Sequence, residues 1–309
     1  RMIDEGKPDD TAIIVYTSGT TGMPKGAMLS HGNMLVNAMD LARMHGLNAQ
    51  NYSVLCYLPL CHVAERSFSM VQQLVTGCTV SFAESVDTVV MNLREIAPLG
   101  FLGVPRIWEK MQQSIEYRVQ DTTPLQRWVF HRSMEKGREI ARRRLANGGH
   151  LVARDRLTYA LLYLVCMRPL QRFLGLNRLK TGFCGGASIS EEVLLFFWTL
   201  GVPVYDQYGT SEFNRMAWEC PARRGYHIDA DSVILEVLGD DDRPVAPGET
   251  GRAVVTGLIN QMMPLIRYEL GDLVVASDRR CECGRTLPMI EGIEGRAADV
   301  VTLPGGGRR

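Results

Sequence analysis

Apolar residues along the first part of the chain fall into short β-branched runs separated by longer stretches with helical spacing. Residues 11–16 read as a buried strand that runs into a Gly/Thr/Ser loop, and residues 31–44 then read as a helix. Strand, loop and helix in that order make the βα unit of an α/β sheet. Comparable runs recur at 53–58, 79–82, 100–104 and 179–184, the last preceding a helical pattern over 190–200. Ser190 suits the N-cap there, and Glu191 and Glu192 put negative charge in the first turn, where the helix dipole favours it.

Residues 105–173 are helical in pattern almost throughout. Within them, residues 127–144 carry seven basic side chains (Arg127, Arg132, Lys136, Arg138, Arg142, Arg143, Arg144) against Glu135 and Glu139. Such a stretch is either a solvated helix face, the commoner case, or a surface for peripheral membrane contact. Beyond Tyr208 the pattern shortens. Residues 227–238 and 251–257 predict antiparallel strands, with Asp240-Asp241-Asp242-Arg243-Pro244 as a turn cluster between them. The fold class is therefore α/β: a body over 1–212 with a helical insertion at about 105–175, a β-rich subdomain over 213–296, and a closing segment over 297–309.

Composition narrows the function classes. The 309 residues carry 34 basic and 34 acidic side chains and are 46% apolar, which suits a globular protein and excludes a disordered, collagen-like or disulfide-stapled chain. A net charge of zero gives no footprint for nucleic acid. The longest strongly apolar uncharged run, 157–167, is 11 residues, whereas a spanning helix needs roughly 20. Eight cysteines spread through the chain, mostly in apolar runs, predict reduced thiols and a cytoplasmic location. The polar start and the closing Gly305-Gly306-Gly307-Arg308-Arg309 read as the ends of a fragment.

The most informative segment is Tyr16-Thr17-Ser18-Gly19-Thr20-Thr21-Gly22-Met23-Pro24-Lys25-Gly26. Its three glycines permit a tight backbone, its four Ser/Thr hydroxyls supply donors and its lysine adds fixed positive charge, which are the ingredients of a polyphosphate cradle. A flexible connection has the same composition. The spacing is not that of a Walker loop, because Lys25 precedes Gly26 and is followed by Ala27.

This string resembles the phosphate-binding signature of the adenylate-forming superfamily, which includes acyl-CoA synthetases, peptide-synthetase adenylation domains and firefly luciferase. Four further motifs come in that superfamily's order: Gly185-Gly186-Ala187-Ser188, Tyr208-Gly209-Thr210-Ser211-Glu212, Arg267-Tyr268-Glu269-Leu270-Gly271-Asp272 and Gly295-Arg296. The implied fold is part of a large adenylate-forming N-terminal domain. Leu58-Pro59-Leu60-Cys61-His62-Val63-Ala64-Glu65-Arg66 and Gly103-Val104-Pro105-Arg106-Ile107-Trp108-Glu109 look most like long-chain fatty acyl-CoA synthetases. The tail, with Met263-Pro264-Leu265-Ile266-Arg267-Tyr268 and Cys281-Glu282-Cys283-Gly284-Arg285, is more similar to phenylacetate-CoA ligase.

The resemblance implies ATP-dependent activation of a carboxylic acid to an acyl-adenylate and then to acyl-CoA, with Mg²⁺ and with coenzyme A as co-substrate. A long-chain fatty acid is the implied acid. An aryl acid, or ATP binding without turnover, is the alternative. Thr17, Ser18, Gly19, Thr20, Thr21, Gly22 and Lys25 would hold phosphates, and Glu212 would hold Mg²⁺ with the Thr20 hydroxyl. Gly186, Ala187 and Ser188 would lie on one face of adenine, with Tyr208, Gly209 and Thr210 on the other side. Asp272 would accept from the ribose, Arg296 would sit near the ribose or α-phosphate, and His62 would stand beside the acyl carboxylate. Trp198, in a helical apolar face, reads as packing. In Gly295-Arg296-Ala297-Ala298-Asp299 the hinge acid is one position late, and the family's mobile lid with its lysine would come after Gly307. Cys220, His227, Cys281 and Cys283 form a soft ligand set for structural Zn²⁺, although Cys281-x-Cys283 is tighter than the usual two-residue spacing. Turn cysteines without a metal are the alternative.

Overall fold

The computed structural model describes residues 5–17, 25–45 and 52–299. Strand β1 (Thr11–Thr17) does not open a βα unit. It pairs antiparallel with β2 (Lys25–Ser30), Tyr16 opposite Gly26 and Thr17 opposite Lys25, and the helix His31–His45 comes after that hairpin. The expected buried strand is also only half buried: Val15 faces inward, whereas Ile14 and Tyr16 are exposed. The partner strand is masked in the sequence by its Lys25-Gly26 start, yet its period of two is clear, with Ala27 and Leu29 both buried. Gly26 is needed for close approach, since a Cβ there would stand 3.0 Å from Ile14 Cγ2 and 3.5 Å from the Tyr16 ring. Ser30 Oγ accepts from the Asn33 N–H at 3.1 Å, satisfying a donor in the first turn of the helix.

Residues 34–206 form one compact unit, and residues 1–33 with 207–309 form the other. That division differs from the expected boundary at 212 by assigning the N-terminal hairpin to the C-terminal unit. Side-chain amides give the reason: Asn260 Nδ2 donates to the Met28 carbonyl at 2.8 Å, and Asn214 Nδ2 to Asn33 Oδ1 at 3.1 Å.

In the unit 34–206 the short apolar runs become β3 (Ser53–Cys56), β4 (Thr79–Phe82), β5 (Gly100–Gly103) and β6 (Thr181–Gly185), a parallel sheet in the order β4-β3-β5-β6. Helices Pro105–Gln120, Pro124–Ala146, Arg156–Leu162 and Arg168–Leu174 make up the helical insertion, and the helix Glu191–Leu200 lies after β6. Thr123 and Gln126 form a reciprocal capping box at the start of Pro124–Ala146, with Thr123 N donating to Gln126 Oε1 at 3.1 Å. Ser190 caps the helix Glu191–Leu200, accepting from Val193 N at 3.3 Å, and Gly201 ends it at φ 83°. Phe101, Trp108, Met111, Ile115 and Phe197 are fully buried in one cluster, each such side chain stabilising the fold by about 2–3 kcal/mol. Trp108 Nε1 donates to the Gly103 carbonyl at 3.1 Å, and a Cβ on Gly103 would collide with that ring. Trp198 is packing, as expected: it is buried, and its Nε1 donates to Val204 O at 3.0 Å.

Strand β7 (Val204–Thr210) begins in that unit and ends in the other. From there the second unit is antiparallel: β8 (Asn214–Glu219), β9 (Tyr226–Ile228), β10 (Val233–Leu238), β11 (Thr250–Gly257), β12 (Tyr268–Ala276) and β13 (Met289–Arg296), in the order β10-β11-β12-β13-β9-β8-β7. The single strand expected over 227–238 is two. A turn over 229–232, in which Ser232 N and Val233 N both donate to Asp229 O at 2.9 Å, separates β9 from β10, and the two have different neighbours. The Arg215–Asp229 ion pair at 2.9 Å anchors that turn. Tyr208, Phe213, Met216, Val255, Val274 and Ile290 belong to the core of this unit.

Candidate nucleotide site and metal cluster

Three residues far apart in sequence meet in the antiparallel unit. Tyr208 Oη donates to Asp272 Oδ2 at 2.8 Å, and Arg296 Nε lies 3.1 Å from Asp272 Oδ1. Asp272 and Arg296 are directly opposed across β12 and β13. Each comes after a glycine at positive φ, Gly271 at 76° and Gly295 at 120°, and the β12–β13 register slips just beyond the pair. Such irregularities re-aim side chains out of the pleat. Tyr208 and Asp272 are buried, while Arg296 is 52% exposed at the side chain and keeps guanidinium surface open to a ligand. Burial, then the Asp272 charge, push the Tyr208 phenol well above its ordinary pKa, so it stays a neutral donor.

Tyr208 ends the regular part of β7. A bulge separates it from Gly209, where a Cβ would collide with the Asn214 carbonyl. Thr210 Oγ1 accepts from Phe213 N at 3.3 Å, closing the turn that holds Glu212. Among the described residues the half-buried Glu212 carboxylate makes no hydrogen bond or ion pair, which leaves its oxygens available to a hard cation. Lys25 stands at the exposed start of β2, opposite Thr17 at the end of β1. Ser18, Gly19, Thr20, Thr21 and Gly22 lie outside the described residues.

In the other unit, the exposed Gly186-Ala187-Ser188 bend follows the carboxyl end of β6, with Gly186 at φ 86°. His62 lies beyond the carboxyl end of β3, which β5 separates from β6 in the same parallel sheet. The carboxyl edge of an open parallel sheet is where ligands bind. His62 Nδ1 accepts from the Ala64 N–H at 3.3 Å, which leaves the Nε2 side of an exposed ring for a ligand. Glu65, to which the sequence pattern assigns no role, is fully buried and accepts from Leu58 N at 3.0 Å and Tyr57 N at 3.4 Å. Arg66 Nε donates to Leu60 O at 2.9 Å, so both residues hold the loop that presents His62.

Cys220, His227, Cys281 and Cys283 converge at the second centre, with all four ligand atoms within 4.8 Å of one another. Cys220 comes just after β8, His227 lies on β9 opposite Met289, and the other two sit in the turn between β12 and β13. Cys220 Sγ and Cys281 Sγ are 3.5 Å apart, and Cys283 Sγ and His227 Nε2 are 3.3 Å apart. Tetrahedral zinc with bonds of about 2.3 Å spaces its sulfurs by about 3.8 Å, so the donor set fits that ion. His227 Nδ1 is buried without a hydrogen-bond partner among the described residues. Burial, with the neighbouring thiols, pushes Cys220 up to about 12, and burial, then the Arg285 charge, lowers His227.

The sequence matches the AMP-binding enzyme family over residues 1–264, leaving the end of the tail outside the match. It is 33% identical over 218 residues to the long-chain-fatty-acid–CoA ligase ACSBG2 of Rattus norvegicus, covering 69% of this chain and 32% of that protein. It is 30% identical over 212 residues to the long-chain-fatty-acid–CoA ligase heimdall of Drosophila melanogaster, covering 67% and 30%. The chain therefore spans about a third of the length of the curated relatives it matches. In fold it is similar to the o-succinylbenzoate coenzyme A synthetase of Bacillus subtilis, solved with ATP and magnesium ion, at a TM-score of 0.64 and 18% identity over 98% of this chain and 53% of that one.

Proposed function

The chain belongs to the AMP-binding enzyme family, and on that premise we propose that it contributes the nucleotide-binding part of an enzyme that activates a fatty acid to its coenzyme A thioester. The acid's carboxylate oxygen bonds to the α-phosphorus of ATP and pyrophosphate leaves. The thiolate of coenzyme A then bonds to the acyl carbon of the adenylate and AMP leaves. The carboxylate is already ionised at neutral pH, so the chemistry calls for charge neutralisation and positioning more than for a general base. The names of the curated relatives support a fatty acid as substrate.

The observation that carries this reading is the Tyr208–Asp272–Arg296 constellation. Asp272 would present a carboxylate to ribose hydroxyls, Arg296 would carry positive charge toward a phosphate, and Glu212, on the same unit, has a carboxylate unpaired among the described residues. Magnesium, when bound with the nucleotide, would neutralise phosphate charge, and Glu212 with Thr20 would hold it. Lys25 adds a cation at the mouth of the hairpin loop. His62 would orient the acyl carboxylate from the rim of the parallel sheet. The test is calorimetric titration of the chain with magnesium-ATP, comparing wild type with the Lys25→Ala, Glu212→Ala double variant. We expect the variant to lose at least about tenfold in affinity, on the order of 1.4 kcal/mol. Undiminished binding would overturn the assignment. In the complete enzyme, palmitate should drive pyrophosphate release and phenylacetate should not; the reverse preference would favour the aryl-acid reading that the tail suggested.

We also infer that the Cys220, His227, Cys281 and Cys283 cluster holds structural Zn²⁺. Metal analysis should find about one zinc per chain and much less in Cys283→Ser. A parent protein free of zinc would end that inference. None of the eight cysteines forms a disulfide, which supports a reducing, cytoplasmic location.

A further inference from the structure

We propose that the outer face of the helical stretch 156–174 docks on the surface of an anionic lipid bilayer. Helix Arg156–Leu162, the π turn Tyr163–Met167 and helix Arg168–Leu174 run on from one another without a break, a rod of about 28 Å at roughly 1.5 Å per residue. Its inner face is fixed to the body of its unit. Cys166, Met167, Gln171 and Leu174 are buried, Gln171 Nε2 donates to Leu200 O at 2.7 Å, and Tyr163 Oη donates to Gln171 Oε1 at 3.2 Å.

The outer face is apolar where a solvated helix would be polar. Leu157 is 74% exposed, Leu161 57%, Leu164 58% and Val165 62%, at the three- and four-residue spacings that align side chains along one face. Exposed arginines frame this stripe at both ends, Arg154 and Arg156 before it and Arg168 and Arg172 after it, and none of the four makes a salt bridge among the described residues. The only acidic residue in 153–174 is Asp155, which is buried and held by Arg143 at 2.9 and 3.0 Å. An apolar stripe with cationic ends suits the boundary between acyl chains and anionic headgroups, where leucines enter the apolar layer and guanidinium groups reach lipid phosphates.

Charge decides between this and the other occupant of an exposed apolar face, a second copy of the chain. A two-fold pairing of this face would set arginines against arginines with no carboxylate between them, whereas an anionic bilayer satisfies both ends. The basic face of the helix Pro124–Ala146, which the sequence singled out for membrane contact, is a weaker candidate. Three of its seven cations are matched by carboxylates, Lys136 with Glu139 at 2.7 Å, Arg132 with Glu135 at 3.3 Å and Arg143 with Asp155, and it exposes no comparable run of leucine and valine between its cations.

The proposal is independent of the acid-activation reading, and its test uses neither ATP nor acid. The 309-residue chain is sedimented with vesicles of phosphatidylcholine alone and of phosphatidylcholine with an equal part of phosphatidylglycerol. Wild type should partition onto the anionic vesicles and little onto the neutral ones. Leu161→Glu with Val165→Glu should abolish partitioning at an unchanged melting temperature, since neither side chain packs inward. Arg168→Gln with Arg172→Gln should weaken it by about fivefold per arginine removed and flatten its salt dependence. Equal sedimentation of wild type and the double-Glu variant overturns the proposal. So does a concentration-dependent dimer, seen by light scattering, that the double-Glu variant abolishes while wild type ignores vesicles.

Discussion

The two centres of the antiparallel unit are built on neighbouring strands and satisfy their polar atoms in opposite ways. At the nucleotide site both Asp272 oxygens already have partners, a hydrogen bond from Tyr208 on one and the Arg296 ion pair on the other, so the carboxylate is oriented before any ligand arrives. At the Cys/His cluster the four ligand atoms face one another, burial disfavours charge on Cys220 and His227, and His227 Nδ1 has no partner among the described residues. One centre is complete as folded and offers its outer surface to a guest. The other is a closed ring of donors that, on the zinc proposal, a cation would complete, because a cation makes neighbouring thiolates favourable.

The sharpest way to break this contrast is to remove the metal. Under a chelator, or in Cys220→Ala, the unit should lose on the order of 4 kcal/mol, the stabilisation expected when free zinc stands a thousandfold above its dissociation constant. The melting temperature should fall by several degrees, and an unchanged value would mean that the four residues are ordinary core thiols and a histidine. At the other centre the losses should be smaller. Asp272→Ala strands a buried phenol and costs about 1–3 kcal/mol in thermal or urea unfolding, with nucleotide affinity falling in parallel. Tyr208→Phe removes one donor while Arg296 still holds the carboxylate, at about 1 kcal/mol. Equal costs for these two variants would show that the aspartate is not oriented from both sides.

How far each feature was legible depends on how local its cause is. The strands β3 to β6 stood out because they are short apolar or β-branched runs between polar segments, including the exposed edge strand β4, and the helix Glu191–Leu200 because Ser190 and two glutamates mark its start. The partner strand Lys25–Ser30 did not, because its identity comes from pairing with Ile14 and Tyr16. The break at 229–232 did not either, since it depends on Arg215 reaching Asp229 from another strand. Tyr208, Asp272 and Arg296 were found through the order of family motifs, while the fact that brings them together, the register of β12 against β13, is written in no local pattern. The cysteines were legible by ligand type, and their convergence depends on His227 pairing opposite Met289. The phosphate-loop residues 18–22 lie outside the described residues, so their resemblance stands as an expectation.

Glu65 falls between the two centres in character and supplies the finest test of the comparison. Its Oε2 accepts two backbone N–H groups, whereas its buried Oε1 accepts no hydrogen bond of ordinary geometry. Burial raises its pKa, and the Leu58 and Tyr57 N–H groups with nearby Cys56 and Ser69 offset only part of that. A raised carboxyl pKa means that the folded state holds the proton more tightly than the unfolded one. Its contribution to stability is therefore full below the ordinary value of 4.5 and is lost as pH climbs through the raised value. Glu65→Gln keeps an acceptor for Leu58 and removes the titration. Melting temperatures measured from about pH 4 upward should show the variant gaining on wild type as pH rises, with the gap levelling once Glu65 has ionised. A gap constant with pH would place this carboxylate with Asp272, satisfied as it stands, and would remove the case for a half-completed site under the His62 loop.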